Sequence, residues 1–355
     1  MSITLTEASK LSNDILLKGI IETIVKDSPI LEKLPFIQIT GNSLKYNREK
    51  TLPTAAWYAP VTGTWTASPP TFEQASATLC VLGVDADVDN FLKSTRSNVQ
   101  DLEAACIELA AKSVRQEFEN CFLNGDGSSN KFTGLYYTLK GTAWQASHAY
   151  VLGDVVVPTA GLENGYRYEC TTAGTSGASA PTWSIAEGGD TTDNTVHWTT
   201  RLGCHLGSGA NGATLALDKI DSLIDLVRGG KPDLILMSRR TRRKVVALCR
   251  ASGQNLLIGE GRAGEVIEYY NGIPVAISDW VKDDYSIGSS TDCSIIYAFQ
   301  MGEGSVAGLT SPEMLQIERL GSLETKDASR TRVKWYVSMA DFSYVKCAML
   351  TGVRG

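Results

Sequence analysis

Residues 141 to 205 differ sharply in composition from both of their flanks. They are rich in Gly, Thr and Ser, poor in Lys, and contain three of the seven tryptophans and all three histidines. Apolar patterns typical of helices occur on both sides of this block. We therefore interpret it as a separate, β-rich domain inserted into another fold.

The length and composition indicate a multi-unit globular protein. A chain of 355 residues exceeds what one hydrophobic core usually supports, which predicts two or three folded units. No apolar run approaches the roughly 20 residues that span a bilayer, so we expect no membrane-spanning segment and no membrane partner. The N-terminus has no pattern of a secretion signal, and the eight cysteines include no CxxC pair. Together these features predict buried free thiols and assembly in a cytoplasm.

Helical and extended patterns are segregated along the chain, which predicts an α+β fold and not a wound parallel sheet. Helices are expected at 7–26, 98–124, 217–227 and 238–250, and strands dominate from 266 to the end. The second helix is the longest, with an apolar stripe of Leu102, Cys106, Leu109, Phe118 and Phe122.

A long loop separates two extended runs near the N-terminus. The first run begins at Leu44, the second covers 78–88, and the stretch 53–70 between them is rich in Pro, Gly and Thr. Such a loop has little core in which to bury large rings, so its aromatic residues predict a contact surface. These residues are Trp57, Tyr58 and Trp65.

Two motifs suggest ligands but fail on context. Residues 259–264 match GxGxxG, yet the following residues predict a hairpin turning at Asn271-Gly272 where a dinucleotide site needs a helix. Asp85, Asp87 and Asp89 resemble the start of a calcium loop, but Asn90 and Arg96 replace the Gly and Glu that the loop requires. Their alternation with apolar residues predicts a strand with the acids facing water.

Neither catalysis nor a metal site is predicted. The chain contains no GxSxG, HExxH or Walker sequence, and its His and Cys residues lack the close spacing of zinc ligands. We therefore expect no enzyme activity, no cofactor and no metal.

One basic cluster stands out in a chain whose net charge is −6. A solvated helix face or an ion-pair surface is the first interpretation, and contact with packaged DNA is the second. The net negative charge favours a protein that encloses DNA over one that binds it directly. The cluster consists of Arg239, Arg240, Arg242, Arg243 and Lys244.

The order of these elements resembles the Hong Kong 97-type major capsid proteins of tailed bacteriophages and the related encapsulins. Short stretches typical of phage capsid sequences add to this likeness, which covers roughly residues 1 to 140 and 206 to 355. These stretches are Leu31–Phe36, Tyr46–Pro53, Asp87–Leu92 and Asn271–Val275.

The resemblance implies a division of the chain. An N-terminal arm would cover 1–43, an extended E-loop 44–82, a P-domain 83–140 with a spine helix at 98–124, the insert 141–205, an A-domain 206–300, and strands returning to the P-domain 301–355. The E-loop would reach over a neighbouring subunit through Trp57, Tyr58 and Trp65. Some relatives join an E-loop lysine to a neighbour's asparagine, but 51–72 contains no lysine and Lys50 lies at the base of the stretch, so we do not predict that bond.

The insert resembles small aromatic β-modules of phage structural proteins and chitin-binding enzymes. Two interpretations remain open: its aromatic rings form the core of a decoration domain, or they stack on a glycan of the host surface. The residues concerned are Trp144, Tyr150, Trp183 and Trp198.

The resulting hypothesis is a major capsid protein that assembles in the host cytoplasm into the icosahedral shell of a virion. Its expected partners are copies of itself in hexamers and pentamers, portal and scaffolding proteins, and double-stranded DNA that is enclosed without sequence recognition. The alternatives are an encapsulin-like compartment, a carbohydrate-binding protein acting through 141–205, and a nucleotide-dependent enzyme that rests on the glycine motif alone.

Overall fold

The structure is a computed structural model that describes residues 29–96, 102–253, 257–260 and 266–355. The predicted helix at 7–26, the first residues of the predicted helix at 98–124 and most of the GxGxxG motif lie outside these residues. The helices are α1 (Ile30–Lys33), α2 (Asn90–Arg96), α3 (Leu102–Asn124), α4 (Leu135–Lys140), α5 (Leu217–Leu226) and α6 (Arg239–Ala251), and a 3₁₀ turn covers Tyr344–Lys346. No described helix combines the length and apolarity that crossing a bilayer requires.

The first half of the chain contributes these strands: β1 (Phe36–Gln38), β2 (Ser43–Thr51), β3 (Thr71–Thr78), β4 (Cys80–Asp89), β5 (Ala149–Tyr150), β6 (Val155–Val156), β7 (Asn164–Thr172) and β8 (Gly174–Thr175). The second half contributes β9 (Asp190–Asp193), β10 (Val196–Gly207), β11 (Ala213–Thr214), β12 (Leu234–Met237), β13 (Leu257–Glu260), β14 (Val266–Tyr270), β15 (Ile273–Ile277), β16 (Tyr285–Ile287), β17 (Ser290–Phe299), β18 (Val306–Ser322), β19 (Ala328–Asp341) and β20 (Cys347–Arg354).

These strands form two main sheets in the described part of the chain. A four-stranded sheet has the order β1-β18-β19-β4, and a mixed sheet runs β13-β14-β15-β12-β17-β20-β10-β7-β6 with β11, β16 and β9 at its sides. The pairs β2–β3 and β5–β8 stand apart. The predicted α+β class is confirmed. The last strand, β20, pairs with β17 and β10 and is buried on both faces along nearly its whole length. The predicted return of residues 301–355 to the P-domain stays a prediction.

The long helix α3 packs against the four-stranded sheet. Phe118 is fully buried, with its ring 4.9 Å from that of Trp335 on β19 and 5.8 Å from that of Phe36 on β1. Val114 is also buried, but Leu109 is 47% exposed. The predicted helix is confirmed over 102–124, whereas placing Leu109 on the buried stripe was wrong.

The larger sheet is covered on both faces, as alternation along β12 shows. Leu234 and Leu236 join the core that contains α3, while Ile235 and Met237 join the core beneath α5 and α6. Ser238 begins α6 by accepting a hydrogen bond from the backbone N of Thr241, as a helix cap does. The predicted buried strand and capped helix are both confirmed.

The hairpin β14–β15 turns at Asn271 and Gly272, which have φ values of 50° and 77°. Two residues with positive φ make the tight turn that Asn-Gly favours between antiparallel strands. The predicted hairpin after the glycine motif is confirmed, and it replaces the helix that a dinucleotide site needs.

The insert has an apolar core of its own and a continuous link to the larger sheet. Its core residues all fall between Trp144 and Trp198. Strand β10 crosses the predicted boundary at residue 205 and pairs with β20 beyond it. His205 Nδ1 lies 3.2 Å from the carbonyl oxygen of Lys140, so the two ends of the insert are adjacent. Its ability to fold independently stays a prediction.

Candidate assembly interface

The hairpin β2–β3 carries the predicted contact loop. Its strands pair with each other from Ser43↔Thr78 to Thr51↔Thr71, and residues 52–70 extend beyond the paired region without helix or strand. Strand β4 begins at Cys80 and pairs with β19, and the assignment of 44–82 as an E-loop stays a prediction. We call residues 52–70 the apical loop.

The apical loop exposes two indole rings. The side chain of Trp57 is fully exposed and that of Trp65 is 81% exposed. Tyr58 is half-buried because its ring stacks on Trp65 with 4.2 Å between centroids, and its hydroxyl accepts a hydrogen bond from the backbone N of Thr66. The three predicted residues therefore all lie on the apical loop, and Tyr58 supports Trp65. Their contact with a second subunit stays a prediction.

The even-numbered residues of β2 attach the hairpin to the body of the subunit. Leu44 packs on a small apolar core. Tyr46 donates a hydrogen bond of 2.8 Å from its hydroxyl to the carbonyl oxygen of Asp341, and Arg48 donates to the carbonyls of Asp341 and Phe342. Because alternate residues of a strand share one face, the hairpin lies along the body on this face.

Asp341 is the buried charge at this attachment. Its carboxylate lies 3.6 Å from Arg48 Nη2, beyond a good hydrogen-bonding distance. Burial raises the pKa of Asp341 to about 6, although the charge of Arg48 opposes this shift. Both residues line a cavity of about 270 Å³ beneath the hairpin, together with Lys131 and Ser338. The hairpin is therefore joined to the body across a polar, incompletely filled space.

The predicted basic cluster is largely neutralised within the subunit. Arg239 pairs with Asp279 at 2.8 Å and Arg242 with Glu268. Arg240 Nε lies 3.7 Å from Asp283 Oδ1, and the guanidinium also donates hydrogen bonds to the side chain of Ser294 and to the carbonyl oxygens of Asp283 and Asp292. Within the described residues, Arg243 and Lys244 make no ion pair, and Arg243 is exposed. The geometry favours the ion-pair interpretation for three of the five cations, and contact with DNA stays a prediction for the other two.

The aromatic residues of the insert were predicted as either a core or a glycan surface, and the structure places most of them in the core. Trp144, Tyr150 and Trp198 are buried, and Trp183 packs against them while remaining partly exposed. The indole nitrogens of Trp144 and Trp198 both donate to Asp193. The burial of these three rings favours the core interpretation, because a small domain needs its large side chains to fill its interior. Glycan binding by the insert stays a prediction.

Sequence reasoning missed the attachment of the hairpin. Tyr46, Arg48 and Asp341 are ordinary polar residues in the sequence, and nearly 300 positions separate the hairpin residues from their partner. The alternation of Leu44, Tyr46, Arg48 and Lys50 was the available signal, since it marks one face of a strand.

Comparison with known families identifies the chain. The model of the phage capsid family matches residues 11–301, which is most of the chain. The chain therefore belongs to the phage capsid family, and it is a structural major capsid protein. No curated protein sequence is significantly similar to it.

Solved structures share the fold at low sequence identity. The holo-SrpI encapsulin complex from Synechococcus elongatus PCC 7942 is 14% identical, with a TM-score of 0.61 over 99% of this chain and 96% of that one. The capsid of an empty GTA particle is 16% identical, with a TM-score of 0.61 over 96% of each chain. A chain from Microbacterium phage Oxtober96 is 14% identical, with a TM-score of 0.56 over 99% of this chain and 98% of that one. These likenesses confirm a fold shared by phage capsids and an encapsulin.

Proposed function

We propose that the protein assembles with copies of itself into the closed icosahedral shell of a virion, and that the apical loop forms a contact between neighbouring subunits. The exposed Trp57 carries this proposal. A fully exposed indole on a loop without a core is costly to maintain in a monomer and is suited to a pocket on a partner.

The free energy gained by burying such a tryptophan is large enough to influence assembly. Burying one tryptophan removes on the order of 200 Å² from water. At about 25 cal/mol per Å² this corresponds to about 5 kcal/mol before the costs of ordering and desolvation. In a closed shell every subunit repeats the contact, so weak individual contacts are summed. The family relationship supports a structural role of this kind rather than a catalytic one.

The division of the chain follows the Hong Kong 97-type pattern in this proposal. The hairpin β2–β3 serves as the E-loop, α3 as the spine helix of the P-domain, and residues 206–300, with α5, α6 and their strands of the larger sheet, as the A-domain. The packing of these helices supports this assignment, because α3 packs on the four-stranded sheet and α5 and α6 pack on the larger one. Portal and scaffolding proteins would join the shell during assembly in the host cytoplasm.

The shell encloses double-stranded DNA without reading its sequence. A net charge of −6 and a basic cluster that is largely paired within the subunit disfavour a broad DNA-binding surface. An encapsulin-like compartment with protein cargo is the second candidate, because an encapsulin shares the fold.

Electron microscopy of the purified protein tests this function. We expect closed shells, and particles isolated from phage-producing cells should contain DNA that resists added nuclease. Closed shells from such cells that contain protein cargo and no DNA would favour the compartment. A protein that stays monomeric at high concentration would contradict both.

A further inference from the structure

The insert contacts the hairpin at the last anchored residue before the apical loop. Lys50 Nζ lies 2.7 Å from Glu169 Oε1, and Glu169 is on β7 of the insert. The other oxygen of the same carboxylate, Oε2, accepts a hydrogen bond of 3.0 Å from Arg201 Nε on β10. One carboxylate of the insert therefore binds a cation of the hairpin while a second cation, from its own domain, fixes its position.

A neighbouring contact joins the same two parts through the 3₁₀ turn. Arg167, two residues before Glu169 on the same face of β7, places its guanidinium 3.4 Å from the ring centroid of Tyr344. The guanidinium of Arg48 on β2 lies 5.7 Å from the same ring. The hairpin and the insert thus share Tyr344 as well as Glu169, and the contact between them is not confined to one ion pair.

The electrostatics favour a persistent contact. Burial disfavours the charged form of Glu169, but hydrogen bonds and charge from Lys50 and Arg201 outweigh it and lower the pKa of Glu169. The side chain of Glu169 is 12% exposed, whereas that of Lys50 is 44% exposed. Isolated surface ion pairs contribute little, but a carboxylate held by two cations in a partly buried network contributes more.

Lys50 is the anchored residue of β2 that lies nearest to the apical loop. Along β2 the anchors are Tyr46, Arg48 and then Lys50, each two residues apart. Two residues of a strand cover roughly 7 Å, so without Lys50 the last anchor lies that much farther from the apical loop. Arg48 itself lies over the cavity beneath the hairpin.

We propose that the insert is a brace for the hairpin: Glu169 holds Lys50 and thereby fixes the direction in which the apical loop leaves the subunit. This assigns the insert a role in positioning the assembly loop, in addition to any role on the particle surface. The consequence for shell geometry rests on the proposed function, but the brace itself is a property of the single subunit.

Hydrogen exchange measured by mass spectrometry on unassembled subunits tests the brace. The variants are Lys50→Met and Glu169→Gln, which remove the ion pair from either side, together with the double variant. Glu187→Gln is the matched control, because Glu187 is an exposed carboxylate of the same insert. We expect exchange in 47–51 and 71–74 to accelerate about three- to tenfold in both single variants and in the control to match wild type. The double variant should be no faster than the faster single variant, since both changes remove one contact.

Two results would overturn the brace. The first is hairpin exchange in Lys50→Met that equals the control. The second is additive acceleration in the double variant. If Glu169→Gln also disturbs the insert strands β7 and β10, Lys50→Met decides alone, because it leaves the insert unchanged. Exchange in free subunits does not depend on shell formation, so the brace and the proposed function can fail separately.

Discussion

Asp341 is a carboxylate that the fold buries beside Arg48. Burial raises its pKa to about 6 from the usual 3.8, and the charge of Arg48 at 3.6 Å only partly compensates. Between these two pH values the folded state binds more protons at this site than the unfolded state does. The contribution of Asp341 to the free energy of unfolding is therefore greatest at low pH. It falls as the pH rises from about 4 to about 6 and is constant above that.

The variant Asp341→Asn should remove this dependence. A shift from 3.8 to about 6 corresponds to up to about 3 kcal/mol. We expect the variant to gain up to about that much stability relative to wild type between pH 4 and pH 7, as measured by urea unfolding of unassembled subunits. A difference between the two proteins that is constant over this range would contradict the assignment.

Asp85→Asn provides a control, because the pKa of Asp85 is lowered whereas that of Asp341 is raised. Hydrogen bonds from Arg332 lower the pKa of Asp85, so the stability that this carboxylate contributes is present above its usual pKa and is lost as pH falls. The free energy of unfolding of wild type should accordingly exceed that of Asp85→Asn by less at acidic pH than at neutral pH. For Asp341→Asn, the gain in stability over wild type should instead be largest near neutral pH.

The acids of β4 show what the sequence can and cannot predict at the scale of single residues. Alternation correctly predicted a strand, but the predicted exposure to water was wrong, because Asp85 pairs with Arg332 and Asp87 with Arg330 across β19. Asp89 instead accepts hydrogen bonds from the first turn of α2. A strand's neighbour depends on which distant segments pair, and a single sequence carries no record of that pairing.

Helix α3 is the element whose buried face the sequence predicted only in part. Cys106, Ala110, Val114 and Phe118 follow four-residue steps and are buried, whereas Leu109 is half exposed. Both four-residue and three-residue spacings fit a helix of 3.6 residues per turn, so periodicity alone does not fix the edge of the stripe.

Two substitutions on this helix separate its faces. Val114→Asp places a charge in the core between α3 and the sheet and should cost several kcal/mol, lowering the melting temperature or preventing soluble expression. Leu109→Asp introduces the same side chain on the half-exposed face and should melt within a few degrees of wild type. Equal destabilisation by both changes would contradict the packing described for α3.

Shorter signals predicted several elements well because they depend on local physics. Ser238 begins a helix, Asn271-Gly272 closes a hairpin, and Leu234–Met237 forms a buried strand. The aromatic composition of the insert correctly indicated a small core. The use of Glu169 by the hairpin was not predictable, since it joins residues that are distant in the sequence.

At the scale of the whole molecule, we propose that the folding and the assembly of the subunit use different residues. The large side chains of its cores come mainly from the helices, the two sheets and the insert. Trp57 and Trp65 belong to none of these cores, and they project on a hairpin that is anchored by polar contacts. Changes in the apical loop should therefore affect assembly without affecting folding.

The double variant Trp57→Ser and Trp65→Ser tests this separation. Its matched control is Leu152→Ser with Ile185→Ser, which removes two exposed apolar side chains from the insert. Aromatic anchors of an interface contribute a few kcal/mol each, and even about 2 kcal/mol per subunit shifts a shell strongly toward free subunits.

Sedimentation velocity of the assembled fraction, with circular dichroism of the same samples, is the most direct test of an assembly loop. We expect the tryptophan double variant to have a wild-type dichroism spectrum and to sediment mainly as free subunits or capsomers, while the control forms shells in wild-type yield. Full assembly by the tryptophan variant, or a collapse of its fold, would contradict the account, because either result would show that these rings do not serve contacts between subunits.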